Sequence, residues 1–394
     1  MRICLVTGQY PPQIGGVGHS AHRIASMLAG RGVDVHVVHF QKHPEPLPLD
    51  ESHTSTDEDG IRVHRVKVFH EGLREDCARS EAEVLTRYNR EMFQALDHFQ
   101  RQYDFDLLHG FFLYPAAFIA GMVARAHGKK CIASIRGNDV GKYVFDPLRL
   151  PFVRQALENA DFVTSVATNL IELADRAVTP IAGKARTILN SIDRRKLRVT
   201  FKPEVPVRGL VIGTSGLFRY KKGLIYLFKA LAQLDGELEY TLLLAGDFFK
   251  PEDREPHLQA LEQLGLERRT VITGRIPADE MANYLQLFDI LVYPSLYSEG
   301  CPLSMMEAMA MQKTIIASRA GAIPELIRDH ENGILVDPGD SAAIARAIRE
   351  LAADQSLRRR LAENAARTMD EFSNERELQE WLSVYETVLE RKLG

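Results

Sequence analysis

Short apolar runs alternate with amphipathic stretches along the whole chain of 394 residues. A near-continuous apolar run is typical of a parallel strand that is covered on both faces, and each amphipathic stretch has the period of a helix. The alternation therefore predicts an α/β protein built on parallel sheets. The predicted strands are residues 2–7, 33–40, 105–109, 131–135, 162–166, 186–189, 209–214, 241–246, 270–274, 290–293 and 314–317.

The order of these elements repeats midway through the chain. A strand, a glycine-containing loop and a helix occupy residues 2–28, and the same order returns within residues 209–234. Between them, Lys202–Pro206 indicates an extended linker because it holds two prolines. We therefore predict two doubly wound, Rossmann-like domains, residues 1–203 and 204–375, that face each other across a cleft at the carboxyl ends of their sheets.

Two helices are predicted outside this repeat. Residues 72–103 are rich in charge and predict a long helix, or a pair of helices, at the flank of the first domain. The last stretch, from about residue 376 to residue 394, places Leu378, Trp381 and Tyr385 on one helical face. We expect this C-terminal helix to pack back on the first domain.

Composition and charge restrict the class of protein. The first 200 residues hold 26 Lys and Arg against 23 Asp and Glu, and the remainder holds 23 against 30, so neither half favours a nucleic-acid partner. No apolar run is long enough to span a membrane, and the strand that follows Met1 leaves no room for a signal peptide. The four cysteines are scattered without a CxxC pair, which favours a reducing compartment, so we expect a cytoplasmic protein of undetermined oligomeric state.

The segment from Glu299 to Glu307 carries the strongest chemical signal. An apolar strand ends at Pro294, and Pro302 suits the first turn of a following helix, where its missing N–H is no loss. Glu299 would then lie in the loop before the helix, and Glu307 about one turn inside it. The two carboxylates would contact different parts of one ligand.

The start of this helix predicts an anion site. The residues Gly300, Cys301, Pro302 and Leu303 surround the first turn, whose free N–H groups lie at the positive end of the helix dipole. A polyhydroxyl ligand that carries phosphate would use this site together with both carboxylates.

Two glycine-containing loops add candidate phosphate ligands. In the first loop of the chain, Gly16 would let the backbone approach a ligand closely where a helix begins. In the second half, Gly216 and Arg219 precede Lys221 and Lys222 in a loop between a strand and a helix. These cations would either clamp a diphosphate or lie as solvated charges on the surface.

The loop after the strand at 131–135 holds Arg136, Asn138 and Asp139. Ligands bind at this edge of such sheets, so Arg136 would hold a phosphate or an acidic acceptor, or else lie in a plain turn. Two D-x-D strings, Asp57–Asp59 and Asp104–Asp106, fall in a polar loop and at the start of a strand. They form no convincing cluster of ligands, and we predict no metal site.

Together these segments resemble the retaining, two-domain glycosyltransferases of group 1, the glycogen-synthase-like family 4 type with the GT-B fold. Glu299 and Glu307, with seven residues between them, match the paired-glutamate E-x7-E motif of that family. The likeness covers nearly the whole chain as an ordered series of segments: Gly15–Gly18, Leu189–Asp193, Gly216–Gly223, Gly274–Ile276, Tyr293–Ser295, Gly321–Ile327 and Asn332–Asp340.

The resemblance implies an enzyme that moves a sugar, with retention, from a nucleotide-diphosphate sugar to a hydroxyl acceptor, without a metal or a cofactor. It implies catalytic roles for Glu299, Lys222 and Arg219, with Lys222 stabilising the leaving diphosphate and Glu299 holding the donor sugar. Glu307 would bind the ribose, and the backbone at Ile276 would contact the nucleobase. The full set that it assigns to the donor is Gly16, Gly216, Ile276, Gly300, Cys301, Pro302, Leu303 and Glu307.

The chain also departs from the family pattern. Leu217 stands where the family usually has an arginine, and Arg219 is the candidate substitute. Arg136 stands where many members have a histidine, so Arg136, Asn138 and Asp139 are candidates for the acceptor or donor-sugar side. Alternatives are an epimerase or a sugar-phosphate synthase on the same fold, or a protein that binds a nucleotide sugar without turning it over. A nicotinamide-dependent oxidoreductase is disfavoured because the first loop is too long for a compact dinucleotide-binding turn.

The acceptor and the donor base stay open. UDP, GDP and ADP sugars fit the pattern equally, and the acceptor would be a glycan, a glycolipid or a small molecule in cell-surface polysaccharide or glycoconjugate synthesis. The stripe Tyr143–Phe145, with Lys142, Arg149 and Arg154, predicts either peripheral contact with a membrane that carries a lipid-linked acceptor or ordinary packing.

Overall fold

The computed structural model describes residues 1–13, 15–297 and 299–390, and the chain divides into two compact units. The first comprises Met1–Leu189 and the chain from Glu377 onward, and the second comprises Asn190–Arg376. The division falls after Leu189 and not at residue 203. The reason is local, because the backbone N–H of Ile192 donates to the carbonyl of Phe372 (2.9 Å), near the other end of the second unit's stretch of chain.

The described strands of the first unit form one sheet. They are β1 (Arg2–Thr7), β2 (Asp34–His43), β3 (His53–Glu58), β4 (Ile61–Phe69), β5 (Leu107–Phe111), β6 (Lys130–Ile135), β7 (Phe162–Ser165) and β8 (Ala185–Thr187). Their order is β3-β4-β2-β1-β5-β6-β7-β8, and every neighbouring pair is parallel except β3 with β4. The strand order reverses between β1 and β5, which makes that point the switch point of a doubly wound sheet.

Strands β3 and β4 form a hairpin that the apolar pattern did not predict. β3 is mostly exposed and polar, so it lacks the apolar run of a buried strand. The connection is Asp59–Gly60, and both residues have left-handed backbone angles (φ 54° and 79°). Such a pair is typical of the tight turn that joins antiparallel strands.

Helices cover both faces of the first sheet. They are α1 (Gly16–Ala29), α2 (Glu81–Tyr103), α3 (Phe118–His127), α4 (Asn138–Gly141), α5 (Leu150–Asn159) and α6 (Thr168–Ala177). The long helix begins at Glu81 and not near residue 72, because Ser80 and Glu83 form a reciprocal capping box there. No helix in the described part of the chain is long and apolar enough to cross a membrane.

The second unit has a fully parallel sheet in the order β11-β10-β9-β12-β13-β14. Its strands are β9 (Leu210–Phe218), β10 (Tyr240–Phe248), β11 (Thr270–Ile272), β12 (Ile290–Tyr293), β13 (Thr314–Ser318) and β14 (Ile334–Val336). The order reverses between β9 and β12, so the loops that leave these two strands lie beside the switch point. Both sheets confirm the predicted α/β class.

The helices of the second unit alternate with its strands. They are α7 (Leu224–Ala232), α8 (Pro251–Gln263), α9 (Met281–Leu285), α10 (Leu303–Ala310), α11 (Ile323–Leu326), α12 (Ser341–Ala353) and α13 (Gln355–Thr368). Buried side chains of α7 and α12, including Leu227, Phe228 and Ile348, pack with the strands in one apolar core.

The last helix, α14 (Asn374–Leu389), enters the core of the first unit. Trp381 and Tyr385 are fully buried, and the Tyr385 hydroxyl lies 2.9 Å from Nδ1 of His109 on β5. Arg23 of α1 forms an ion pair with Glu377 (3.1 Å) at the start of the same stretch. The C-terminal helix is therefore an integral layer of the first unit.

Candidate active site

Two loops at the switch point of the second sheet bring opposite charges together. Lys222 ends a short 3-10 turn, Tyr220–Lys222, that follows β9, and Glu299 lies in the loop between β12 and α10. Because β9 and β12 are neighbours in the sheet, their carboxyl-end loops meet. The Lys222 ammonium lies 2.8 Å from Oε1 of Glu299.

Glu299 is buried, yet it stays ionised. Burial by itself would raise the pKa of Glu299, but the ammonium groups of Lys222 and Lys221 and a hydrogen bond from Ser295 hold it below its usual range. The Ser295 hydroxyl donates to Oε1 at 2.9 Å. The carboxylate therefore fixes the position of the Lys222 ammonium, three-quarters of whose side chain is shielded from water.

Backbone contacts fix the two loops to each other. The N–H of Leu296 donates to the carbonyl of Lys221 (2.9 Å). Gly223 has a left-handed φ of 67°, and a Cβ there would lie 2.0 Å from the carbonyl oxygen of Pro294. Only glycine permits this approach, so Gly223 sets the separation between the loop of Lys222 and the loop of Glu299.

A third loop, after β13, contacts the backbone carbonyl of Glu299. Gly321 has φ 57°, and a Cβ there would lie 1.6 Å from the carbonyl oxygen of Glu299. That carbonyl accepts a hydrogen bond from the N–H of Ala322 at 3.3 Å. The glycine of the segment Gly321–Ile327 therefore has a direct physical role in placing Glu299.

Helix α10, which follows the loop that holds Glu299, begins one residue later than predicted. Pro302 has an extended backbone (ψ 105°) and is the N-cap, so α10 starts at Leu303. Pro302 has no N–H, and the amides that open the helix are those of Leu303 and Ser304. Within the described residues, neither these two N–H groups nor that of Gly300 has a protein acceptor. They lie at the positive end of the helix dipole, where the sequence predicts an anion site.

Tyr293, at the end of β12, is a member of the site to which the sequence assigned no role. Its hydroxyl donates to the carbonyl of Ser304 (2.9 Å) and lies 2.9 Å from Oγ of Ser215. Ser215 precedes Gly216 on β9, and a Cβ on Gly216 would lie 3.6 Å from the Ser304 hydroxyl. Tyr293 thus links β9 to the start of α10. Its place in an apolar strand gave no sign of this role.

Glu307 lies one turn into α10 and differs from Glu299 in its surroundings. Burial raises the pKa of Glu307 to about 7. No described residue donates a hydrogen bond to its carboxylate. An acidic group that is desolvated without a partner is a candidate acceptor for ligand hydroxyl groups.

Leu217, near the end of β9, and Arg219, just after it, differ in charge and in surroundings. The Arg219 guanidinium lies 3.5 Å from the ring centroid of Phe249, which holds it beside the loop of Lys222. Burial lowers the pKa of Arg219, and the charges of Asp253 and Glu299 partly offset that shift. Leu217 is partly exposed and brings no charge to the site.

Ile276 follows β11, two strands away from β9 in the sheet. Neither its N–H nor its carbonyl has a backbone partner in the described part of the chain. Both groups are therefore open at the carboxyl edge of the sheet, the edge that holds Lys222 and Glu299.

In the first unit, Gly16 is the first residue of α1. No described atom lies within 4 Å of the place where a Cβ would be. Gly18, two residues on, packs against the backbone of Gln9 and Tyr10, with its Cβ position 3.1 Å from the carbonyl carbon of Gln9. The protein itself therefore requires glycine at position 18 more than at position 16.

Asp139 is engaged with the backbone of its own loop. It is fully buried, and its carboxylate accepts backbone N–H groups from Arg136 (2.9 Å), Gly137 (2.7 Å) and Leu113 (3.2 Å). Burial raises the pKa of Asp139 to about 6 against the effect of these hydrogen bonds. Asp139 therefore shapes the loop after β6, while Arg136, placed over the Phe111 ring (5.1 Å), and Asn138 remain partly accessible.

The described residues contain no group of three or more His, Cys, Asp or Glu side chains placed to hold a metal ion. Asp104 and Asp106, from one D-x-D string, have separate partners. Asp104 pairs with Lys129 (2.7 Å), and Asp106 accepts the N–H of Arg2 (2.8 Å).

The geometry agrees with the family to which the chain is similar. Residues 197–368 match the family "Glycosyl transferases group 1", and residues 15–190 match the "Glycosyl transferase 4-like domain". Over 391 residues the chain is 27% identical to N-acetyl-alpha-D-glucosaminyl L-malate synthase of Bacillus anthracis, covering 96% of this chain and 95% of that protein. The chain belongs to the group 1 glycosyltransferases and is a sugar-transferring enzyme by family.

Solved structures show the same fold. Sucrose-phosphate synthase from Thermosynechococcus elongatus superposes with a TM-score of 0.79 at 21% identity, covering 99% of both chains. Anabaena HepE, solved in complex with UDP, gives a TM-score of 0.76 at 19% identity, covering 98% of this chain and 100% of its own. HepE has also been solved with UDP-glucose. The fold is therefore the GT-B fold of this class of enzymes.

Proposed function

We propose that this enzyme is a retaining, metal-independent glycosyltransferase that uses a nucleotide-diphosphate sugar as its donor. The observation that carries the proposal is the pairing of Lys222 with Glu299 beside the open amides of Leu303 and Ser304. This group combines a fixed cation with a helix N-terminus at the switch point of a parallel sheet. The UDP and UDP-glucose complexes of HepE support the same ligand class.

The charges suit the departure of a diphosphate. Glycosyl transfer builds positive charge on the sugar and negative charge on the leaving phosphate. A preorganised donor that faces such developing charge is worth about 3–4 kcal/mol of the barrier. Lys222, held by Glu299, and the first amides of α10 would stabilise the diphosphate, and Arg219 would add a second cation from the end of β9.

Glu307 would accept hydrogen bonds from the ribose hydroxyl groups, and the open backbone at Ile276 would contact the nucleobase. A carboxylate without a protein partner gains more from a ligand hydroxyl than one that is already paired. In this scheme the two glutamates have different tasks, because Glu299 fixes a cation and the donor sugar while Glu307 meets the nucleoside. The departing phosphate would take the acceptor proton, so neither glutamate is the base.

A donor screen tests the proposal. UDP, GDP and ADP are added separately at saturating concentration, because a ligand that binds only the native state raises the melting temperature. One of them should raise it for the unaltered protein and raise it less for Glu307→Ala. Transfer from the matching α-linked sugar donor should give an α-linked product by NMR, at a rate that EDTA does not change. If no nucleotide shifts the melting temperature, or the product is inverted, the proposal is wrong.

For the acceptor we propose a hydroxyl group on a glycan, a glycolipid or a small molecule, with the reaction in the cytoplasm. The cysteines of the described residues are in no disulfide, as is usual in a reducing compartment. Peripheral membrane contact is part of the proposal, with Phe145 (75% exposed) and Leu148 as its apolar residues. Arg149 is engaged with Asp146 and with Glu81, so Lys142 and Arg154 would supply the free positive charge.

Vesicle sedimentation tests this contact. The unaltered protein should sediment with vesicles that contain anionic phospholipid, and Phe145→Ser should lower the bound fraction. Phe201→Ser is the matched control, because Phe201 is also exposed but lies in the second unit. Equal binding of both variants would remove Phe145 from the proposal.

A further inference from the structure

We propose that Asn190 and Tyr293 are positioning residues that keep the backbone carbonyls of the donor loop, Glu299–Ser304, turned away from the phosphates so that its N–H groups meet the ligand. The proposal rests on the donor class proposed above and assigns a role to two residues that the sequence left without one. It concerns how the anion site is built, and neither residue needs to touch the donor.

Asn190 supplies the first hydrogen bond. It is buried, and its Nδ2 donates to the carbonyl of Cys301, also buried, at 2.8 Å. It is the first residue of the second unit, far in sequence from the loop that it holds. Because this hydrogen bond joins two residues that are far apart in sequence, it restrains the conformation of the loop that holds Cys301.

The chemistry of the Cys301–Pro302 peptide explains why its carbonyl must be held. In a peptide unit, the carbonyl and the following N–H point in opposite directions. For most residues a carbonyl turned inward therefore presents an N–H outward. Pro302 has no N–H, so this peptide has only a carbonyl oxygen, whose partial negative charge would repel a phosphate if it turned toward the site. Asn190 fixes that oxygen in the interior.

The neighbouring peptides follow the same arrangement. The carbonyl of Glu299 accepts the N–H of Ala322 (3.3 Å), which leaves the N–H of Gly300 pointing the other way. At the end of the donor loop, the Tyr293 hydroxyl donates its only proton to the carbonyl of Ser304 (2.9 Å). Its oxygen can then accept from Ser215, 2.9 Å away on β9. Three carbonyls, two in the loop before α10 and one in its first turn, are thus held by three other segments.

The test compares Asn190→Leu and Tyr293→Phe with a matched control, Asn332→Leu. Asn332 is also buried in the second unit, and its Nδ2 donates to the carbonyl of Leu326 (3.0 Å) and to Thr368 (2.9 Å). All three variants lose buried hydrogen bonds and should lose stability. Only the first two lie at the donor loop.

The probes are the nucleoside diphosphate that binds the unaltered protein and its monophosphate, for example UDP and UMP, measured by calorimetry at a temperature where every variant is folded. We expect Asn190→Leu to raise the Kd of the diphosphate roughly tenfold and Tyr293→Phe roughly threefold, as expected for loss of ordered donors. The ratio of the monophosphate Kd to the diphosphate Kd should fall in both. Asn332→Leu should leave that ratio unchanged.

The outcomes separate this proposal from the one on which it rests. If a diphosphate binds the unaltered protein but the ratio stays the same in Asn190→Leu and Tyr293→Phe, the positioning role is wrong and the donor class stands. If Asn332→Leu lowers the ratio equally, the effect is general loosening and the role is also wrong. If no diphosphate binds the unaltered protein, both proposals fall.

Discussion

The two units share a doubly wound parallel sheet with a switch point, yet the loops at these points are built differently. In the second unit, Lys222 and Glu299 are paired, and glycines at 223 and 321 bring neighbouring loops into contact. In the first unit, the loop before α1 leaves Gly16 with open space around it. The carboxylate in the loop after β6, Asp139, accepts backbone N–H groups of its own loop.

This difference shows that the sheet topology supplies a place for a ligand in both units. The side chains decide whether that place already holds a fixed charge before a ligand binds. The second unit has a cation and helix amides fixed before any ligand arrives, which lowers the reorganisation needed during reaction. The first unit offers accessible backbone and a partly exposed Arg136. Four variants test this contrast, from the largest expected effect to the smallest.

Removing the fixed cation should have the largest effect. We expect Lys222→Ala to lower kcat by on the order of 100- to 1000-fold, because a donor aimed at the leaving group is lost. Steady-state kinetics with the donor found in the screen measures this. Lys229→Ala, an exposed lysine on α7, is the control and should keep full activity. Comparable rates for both variants would show that Lys222 is an ordinary surface charge.

Replacing Gly321, which packs against the carbonyl of Glu299, should have the second-largest effect. Gly321→Ala combines a left-handed φ with a Cβ 1.6 Å from a carbonyl oxygen, so the loop must move, and we expect a loss of several kcal/mol in unfolding free energy together with donor binding. Gly236→Ala has a similar φ of 76° but no atom within 4 Å. It should cost only about 1 kcal/mol. If denaturant titration gave the same loss of unfolding free energy for Gly321→Ala and Gly236→Ala, the contact would be contradicted.

Gly16 and Gly18 give the matching test in the first unit. Gly16→Ala should leave the melting temperature unchanged or slightly raised, since alanine favours a helix, while lowering kcat/KM about tenfold if a ligand approaches the backbone there. Gly18→Ala should lower the melting temperature, because its Cβ would press on the backbone of Gln9. Full activity in Gly16→Ala would mean that position 16 lies away from the donor.

Glu307 should show the smallest effect, a dependence of stability on pH. Its folded pKa of about 7 lies above the ordinary value of 4.5, so folding loses stability as the pH rises from 4.5 to 7 and the full cost is present above pH 7. Glu307→Gln should therefore melt a few degrees higher than the unaltered protein at pH 8 and equally at pH 4.5. A difference that is constant with pH would exclude this cause.

Much of the fold could be predicted because buried parallel strands are apolar runs in the sequence. The hairpin β3–β4 was missed because β3 is exposed and polar, although the turn signal Asp59–Gly60 was present. The paired glutamates marked the candidate site. The contact between Lys222 and Glu299 could not be read from the sequence, since it depends on β9 and β12 being neighbours. The backbone N–H groups that surround Asp139 could not be predicted either, because nothing in the sequence indicates them.

The helix α14 has a consequence for the order in which the protein is made. The second unit is one continuous stretch, Asn190–Arg376, and has all its strands before α14 is complete. The core of the first unit contains Trp381 and Tyr385, which are translated after the whole second unit. Domains usually fold from the N-terminus onward during synthesis. Here the first unit's core is complete only once α14 has been made, so the unit that begins later in the sequence can finish folding before it.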